Sequence, residues 1–196
     1  MKEKLDALKR EEIVRVAGDL FYRKGFNKTS MDEIAAALSV GKPFIYSQFP
    51  SKTDLLAEVC NRTAALAADV AKCASEGDGT PLVKLEQLAY QLALKVIEGR
   101  FNLGVRFREE KHLPTYALKQ LSRSYHAFNE AISRLLAQGI AAGEFHSHAD
   151  AVVVAHAISG METWLYTWYQ DRGTLSPEQI ASQMSVLVVN MIRKGP

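Results

Sequence analysis

The chain has 196 residues, 47% of them hydrophobic, and carries 24 Lys and Arg against 22 Asp and Glu, a net charge of only +2. That length and apolar content suit one small head and a larger body with a sizeable core, while the charge excludes a strongly basic nucleic-acid-binding protein. Met1 to Arg15 is highly charged and no apolar run approaches about 18 residues, which excludes a signal peptide and a membrane-spanning helix and makes a cytoplasmic protein the expectation.

The first element is the apolar helix IVRVAGDLFYRKGF, which leads into Thr29. A second helix starts after Ser30, whose hydroxyl and Glu33 three residues on form a capping box, and Ile34, Ala35 and Leu38 give it an apolar face. The turn falls at Ser39, Val40 and Gly41, with Gly41 expected to take the backbone angles closed to other residues. A third helix opens near Lys42, where Pro43 suits the first turn. Ile45 and Phe49, four apart, face inward, which leaves Lys42, Phe44, Ser47 and Gln48 pointing outward and Tyr46 on one flank. Ser51 then caps a long helix, with Asp54 in the capping-box position. Two short helices around a tight turn form a helix-turn-helix, a device for reading DNA. The charge is consistent: residues 1–56 hold ten Lys or Arg against eight Asp or Glu, and the remainder balances at fourteen each.

Beyond Lys52 the pattern is helical throughout, without strand alternation or repeat. The long helix runs to about Ser75, and Glu76-Gly77-Asp78-Gly79-Thr80-Pro81 stops it and opens another at Pro81, with Leu85, Leu88, Ala89, Leu92 and Val96 at helical spacing. Gly99 to Gly104 reads as a break. A short helix passes through Phe107 and Glu110, and Pro114 begins a long one whose buried stripe is Leu121, Tyr125, Phe128, Ile132, Leu135 and Gly139. Gly143-Glu144-Phe145-His146-Ser147 closes it. The last two helices, Ala149 to about Asp171 and Pro177 to Arg193, are apolar around most of their circumference, Ser176 capping the second. Such helices are covered from both sides, either within the core or by a second subunit. Cys60 and Cys73, thirteen apart on one helix, are too distant to bridge and read as reduced, buried or half-buried thiols.

In the register of IVRVAGDLFYRKGF, Thr29, Ile34, Ala35, Val40, Tyr46, Phe49, Ser51, Lys52, Leu55 and Leu56, the chain resembles the amino-terminal domain of TetR-family bacterial transcriptional repressors over about 45 residues. It departs from the usual pattern in having Ser39 where the turn has Gly and Phe44 where the recognition helix has Ser or Thr. The resemblance implies an all-α fold: a three-helix DNA-binding head, residues 1–51, and a helical effector-binding and dimerisation body, residues 52–196. It implies double-stranded operator DNA as partner, with Thr29, Tyr46 and Lys52 at phosphates, Lys42 and Gln48 toward base edges, Phe44 toward a thymine methyl, Ser47 serving either purpose, and Pro43 among the DNA-contacting residues. Phe44 packing inside the head is the other reading of that residue. The resemblance also implies a homodimer through the final two helices, for which Val153, Ala157, Gly160, Trp164, Trp168, Met184, Leu187, Val188 and Met191 are the candidates. Two heads would address half-sites about 34 Å apart.

A small-molecule effector in the body follows from the same resemblance, with Phe101, Phe107, Arg108, Tyr125, Phe128, Trp164 and Trp168 as candidate contacts. The charged run Arg106 to Leu113 is either a solvated face or a place for an anionic ligand. The body is loosely similar to regulators of lipid or acyl-thioester metabolism, so an acyl-CoA or lipid-like effector stands beside a hydrophobic drug or an aromatic compound. An interaction protein whose body recruits a protein partner is the rival reading. Glu109 and His112 form one Glu-x-x-His pair, but a di-iron site needs a second, and His146 and His148 lack ligand neighbours. No phosphate loop, nucleophile elbow or triad is present, so no catalytic residue, metal or cofactor is expected.

Overall fold

The structure, a computed structural model, describes residues 2–146 and 150–193, with side chains from Lys9 onward. Ser147 and His148, and the helix start expected at Ala149, lie outside the described residues. The elements in order are α1 (Lys2–Lys24), α2 (Met31–Ala37), α3 (Lys42–Gln48), α4 (Lys52–Glu76), α5 (Pro81–Glu98), α6 (Arg100–Glu109), a 3₁₀ turn (Glu110–His112), α7 (Thr115–Ala141), α8 (Ala151–Thr163), α9 (Leu165–Trp168) and α10 (Pro177–Ile192). The fold is all-α, as expected, and among the described residues only the isolated bridge between Phe145 and Arg193 has β pairing.

Helix packing divides the chain into two units. The first comprises residues up to Thr63 together with Phe101–Leu121, the second Ala64–Arg100 with Ser122 onward. The expected domain boundary after position 51 falls inside the first unit, because Leu55, Leu56, Val59 and Cys60 of α4 share one core with Ile13, Ala17 and Phe21 of α1, Ile34 of α2, and Ile45 and Phe49 at α3. Val105, Leu113 and Ala117 join the same core. Each such large side chain, wholly removed from water, contributes roughly 1.5–3 kcal/mol.

The capping box at Ser30 and Glu33 forms as expected. The turn after it does not. Ser39, at φ 54°, takes the left-handed position, whereas Gly41 is extended at φ −73° and serves as the N-cap of α3. Ser39 N–H donates to Ala36 O at 3.0 Å and Val40 N–H to Ala35 O at 3.0 Å. These two bonds define a Schellman motif, in which a glycine normally follows the cap. Ser39→Gly is therefore expected to raise stability by about 1 kcal/mol, read as a shift in the urea midpoint at constant slope. No gain would mean that the serine hydroxyl offsets the backbone strain.

The break expected over Gly99 to Gly104 is confined to Gly99, and α6 resumes at Arg100. Gly104 has a packing role: a Cβ there would stand 2.5 Å from the Tyr22 ring. Within the second unit α10 packs along α5, and α8 also rests on α5. Glu144 accepts the Leu82 N–H at 2.8 Å and so places an anion at the start of α5, where the helix dipole favours it. His146 N–H donates to Ile192 O at 2.9 Å, tying the turn after α7 to the end of α10. The helix expected from 149 to 171 is interrupted at Trp164, where α8 gives way to α9. Both cysteines are free; Cys60 is buried, and Cys73 is exposed, not half-buried as expected.

Candidate DNA-contacting face and the interior of the second unit

Ile45 and Phe49 anchor one side of α3 in the core, and the opposite side is left to solvent. Lys42, Pro43, Tyr46 and Ser47 are exposed on it, with Tyr46 at 42%. Lys42 Nζ lies 2.9 Å from Asp32 of α2, which raises its pKa and keeps it cationic. So exposed a pair holds weakly, and the ammonium is free to exchange Asp32 for another anion. Ser47 donates its hydroxyl to Phe44 O at 2.7 Å, and Gln48, half-buried, reaches Ser47 Oγ at 3.4 Å. Phe44 is also half-buried: it packs partly against the head core and has Lys9 Nζ 5.6 Å from its ring centre.

Two of the expected phosphate contacts are engaged within the fold. Thr29 is buried, and its hydroxyl donates to Gly25 O at 2.9 Å. Lys52 donates to Phe26 O and Thr29 O, each at 2.9 Å, with its ammonium 4.4 Å from the Phe26 ring centre. Together they fix the turn that delivers α2.

Sequence reasoning missed Arg10. Its guanidinium donates to Gln48 O at 2.7 Å, pairs with Glu58 at 3.0 Å and lies 4.1 Å from the Phe49 ring centre, so α1 grips the carboxyl end of α3. Partners 38 and 48 positions away leave no local signal. Arg108, expected at an effector, instead donates to Phe21 O at 2.9 Å and Tyr22 O at 2.6 Å, neutralising the carboxyl end of α1. Its neighbour Glu109 accepts the Phe26 N–H at 3.3 Å and lies 3.8 Å from His112 Nε2, the structural use of that Glu-x-x-His pair.

The expected effector residues do not share one unit. Phe101, whose ring packs tilted at 46° against Tyr22 with centres 5.0 Å apart, and Phe107, 48% exposed with the Arg106 guanidinium 4.3 Å from its centre, lie with Arg108 in the first. Tyr125, Phe128, Trp164 and Trp168 lie in the second, where Phe128 is buried, Tyr125 half-buried, and Trp164 and Trp168 are surface groups. An apolar cavity of about 340 Å³ in that unit is lined by Leu136, Ile140, Phe145 and Val154, among others, and by none of these aromatics.

Of the expected dimer residues, Met184 and Val188 are buried on the side of α10 that faces its own unit. The others form an uncovered apolar surface. Val153 is 64% exposed, Trp164 62% and Leu187 55%, with Trp168, Met191, Ala157 and Gly160 also exposed. A Cβ built at Gly160 would meet nothing within 4 Å.

Glu162 was not anticipated at all. It is completely buried on α8, neither carboxyl oxygen has a hydrogen-bond partner, and burial alone pushes its pKa up to about 8.

A buried-core helix-turn-helix with a solvent-facing second helix, joined to a helical body, defines a DNA-binding regulator. Residues 13–59 match the bacterial regulatory proteins of the tetR family, and residues 78–192 match the tetracyclin repressor-like C-terminal domain. The chain belongs to the TetR family of bacterial transcriptional regulators. Over 194 residues it is 25% identical to the HTH-type transcriptional repressor KstR2 of Mycolicibacterium smegmatis, covering 96% of this chain and 93% of that one. It also resembles a TetR/AcrR-family regulator from Thermobifida fusca, at 27% identity and TM-score 0.73 over 93% of this chain and 97% of that one. AibR, solved with isovaleryl coenzyme A and operator DNA, shares the fold at 24% identity and TM-score 0.74 over 91% of this chain and 96% of that one.

Proposed function

We propose that the protein is a homodimeric repressor that occupies a palindromic operator in the cytoplasm and is released by a small, mainly apolar effector bound in its second unit. The observation that carries this reading is the pairing of an exposed, cation-bearing face on α3 with bulky apolar groups left uncovered on α8, α9 and α10. Val153, Trp164 and Leu187 form a surface that association with a second copy would cover, and a two-fold dimer presents two α3 helices to two half-sites. Tyr46 serves phosphate, Lys42 and Gln48 serve base edges with Phe44 and Pro43 packing beside them, and Ser47 supports Gln48. AibR's complex with isovaleryl coenzyme A supports an acyl-thioester or lipid-like effector.

The roles on α3 separate by experiment. Gln48→Ala is expected to relax preference at one base position at a cost of about 1–3 kcal/mol, whereas Tyr46→Phe weakens binding to every sequence alike. Equal, sequence-independent losses in both variants would remove Gln48 from base readout. Sedimentation of Leu187→Glu as a monomer, beside a dimeric parent, checks the assigned interface; a dimeric variant would refute it.

A further inference from the structure

Of the buried acids among the described residues, Glu109 accepts the Phe26 N–H, but Glu162 has no partner for either oxygen. It shares the inward face of α8 with Ala155 and Ile158, three and four positions apart along the helix, so the acid stands where the pattern demands an aliphatic side chain. Leaving such a group unpaired costs stability that leucine or methionine would not forfeit. Asn129 of α7 adds a second buried acceptor in the same unit, its Oδ1 also without a partner. Neither position is explained by the fold, and unsatisfied polar atoms inside an apolar body are what a ligand's own polar group would complete.

We propose that Glu162 is the polar contact of the effector site, pairing with the carbonyl or hydroxyl of an uncharged and otherwise apolar ligand. The inference rests on the effector-released reading above and narrows its ligand class. The helices packed on α8 supply no counter-charge: Lys84, Glu86, Tyr90, Lys95 and Glu98 of α5 and Tyr166 of α9 make no hydrogen bond to the acid, and Lys95 is engaged by Glu98 at 2.8 Å. His156 of α8 itself is exposed. An anionic head placed there would meet an acid and no cation. A cationic head would require the ionised carboxylate, which burial disfavours until about pH 8.

Three probes with one alkyl chain separate these classes: 1-decanol, decylammonium and decanoate, titrated into the full chain from pH 6 to 9 and followed by melting temperature and tryptophan fluorescence. The expected result is binding of 1-decanol in preference to the other two, weakening about tenfold per pH unit above the ionisation of Glu162. Glu162→Gln is expected to keep that affinity and lose its pH dependence, and Glu162→Leu to lose at least about tenfold. Preference for decylammonium with affinity rising with pH, an unaffected Glu162→Leu variant, or binding of no probe would each overturn the assignment. Operator binding by the wild-type chain without probe tests the regulatory reading separately.

Discussion

Glu162→Gln is expected to remove a pH dependence of about 1.4 kcal/mol per pH unit from the stability of this protein. Burial raises the folded-state pKa of Glu162 from 4.5 to about 8. Between those values the folded chain holds a proton that the unfolded chain has released, so raising the pH favours unfolding. The wild type is accordingly most stable, as far as this group is concerned, below pH 4.5, loses stability up to about pH 8 and levels off above it. Across pH 5 to 8 the difference from the glutamine variant grows by about 4 kcal/mol. Urea unfolding of both proteins at each pH reads it directly, because every other titrating group cancels in the difference. Parallel curves would show that Glu162 finds a partner or water in solution.

Lys52→Met is expected to cost about 3 kcal/mol, with little change in the salt dependence of DNA binding. Charge-assisted hydrogen bonds contribute about 1.5–3 kcal/mol each, and Lys52 makes two, to Phe26 O and Thr29 O. Methionine keeps the length of the side chain over the Phe26 ring and supplies neither bond. The turn from Phe26 to Thr29 then loses its anchor, and α2 with it. The family resemblance assigned this lysine to phosphate. A phosphate contact predicts the opposite pair of results, unchanged stability and a salt slope reduced by about one.

The contrast shows which information the sequence carries. The capping box at Ser30–Glu33 and the cap at Ser176 are short-range and form at the expected positions, Gln179 completing a second box that was not anticipated. Prolines at the starts of α3, α5 and α10 were equally legible. The strained turn residue was not, because glycine is the default for a left-handed position and Gly41 drew attention away from Ser39. Gly104 read as a break because a glycine required by the neighbouring Tyr22 ring leaves the same letter as one required by a turn. The outward face of α3 followed from the periodicity of Ile45 and Phe49. The internal use of Thr29, Lys52 and Arg108 did not, since their partners are carbonyl oxygens of the backbone, which no side-chain pattern reports. On α10, apolar groups around most of the helix left Met184 and Val188 indistinguishable from Leu187 and Met191 until packing on α5 took one side. Glu162 was hidden because a single acid in an apolar helix looks like its exposed edge.

Selection of bound sequences from random double-stranded DNA at near-physiological salt, with the purified full chain, tests the central claim most directly. A homodimeric regulator reading bases through α3 predicts enrichment of one palindrome, with half-sites spaced by about one helical turn. Recovery of no motif by an intact dimer free of ligand would contradict it.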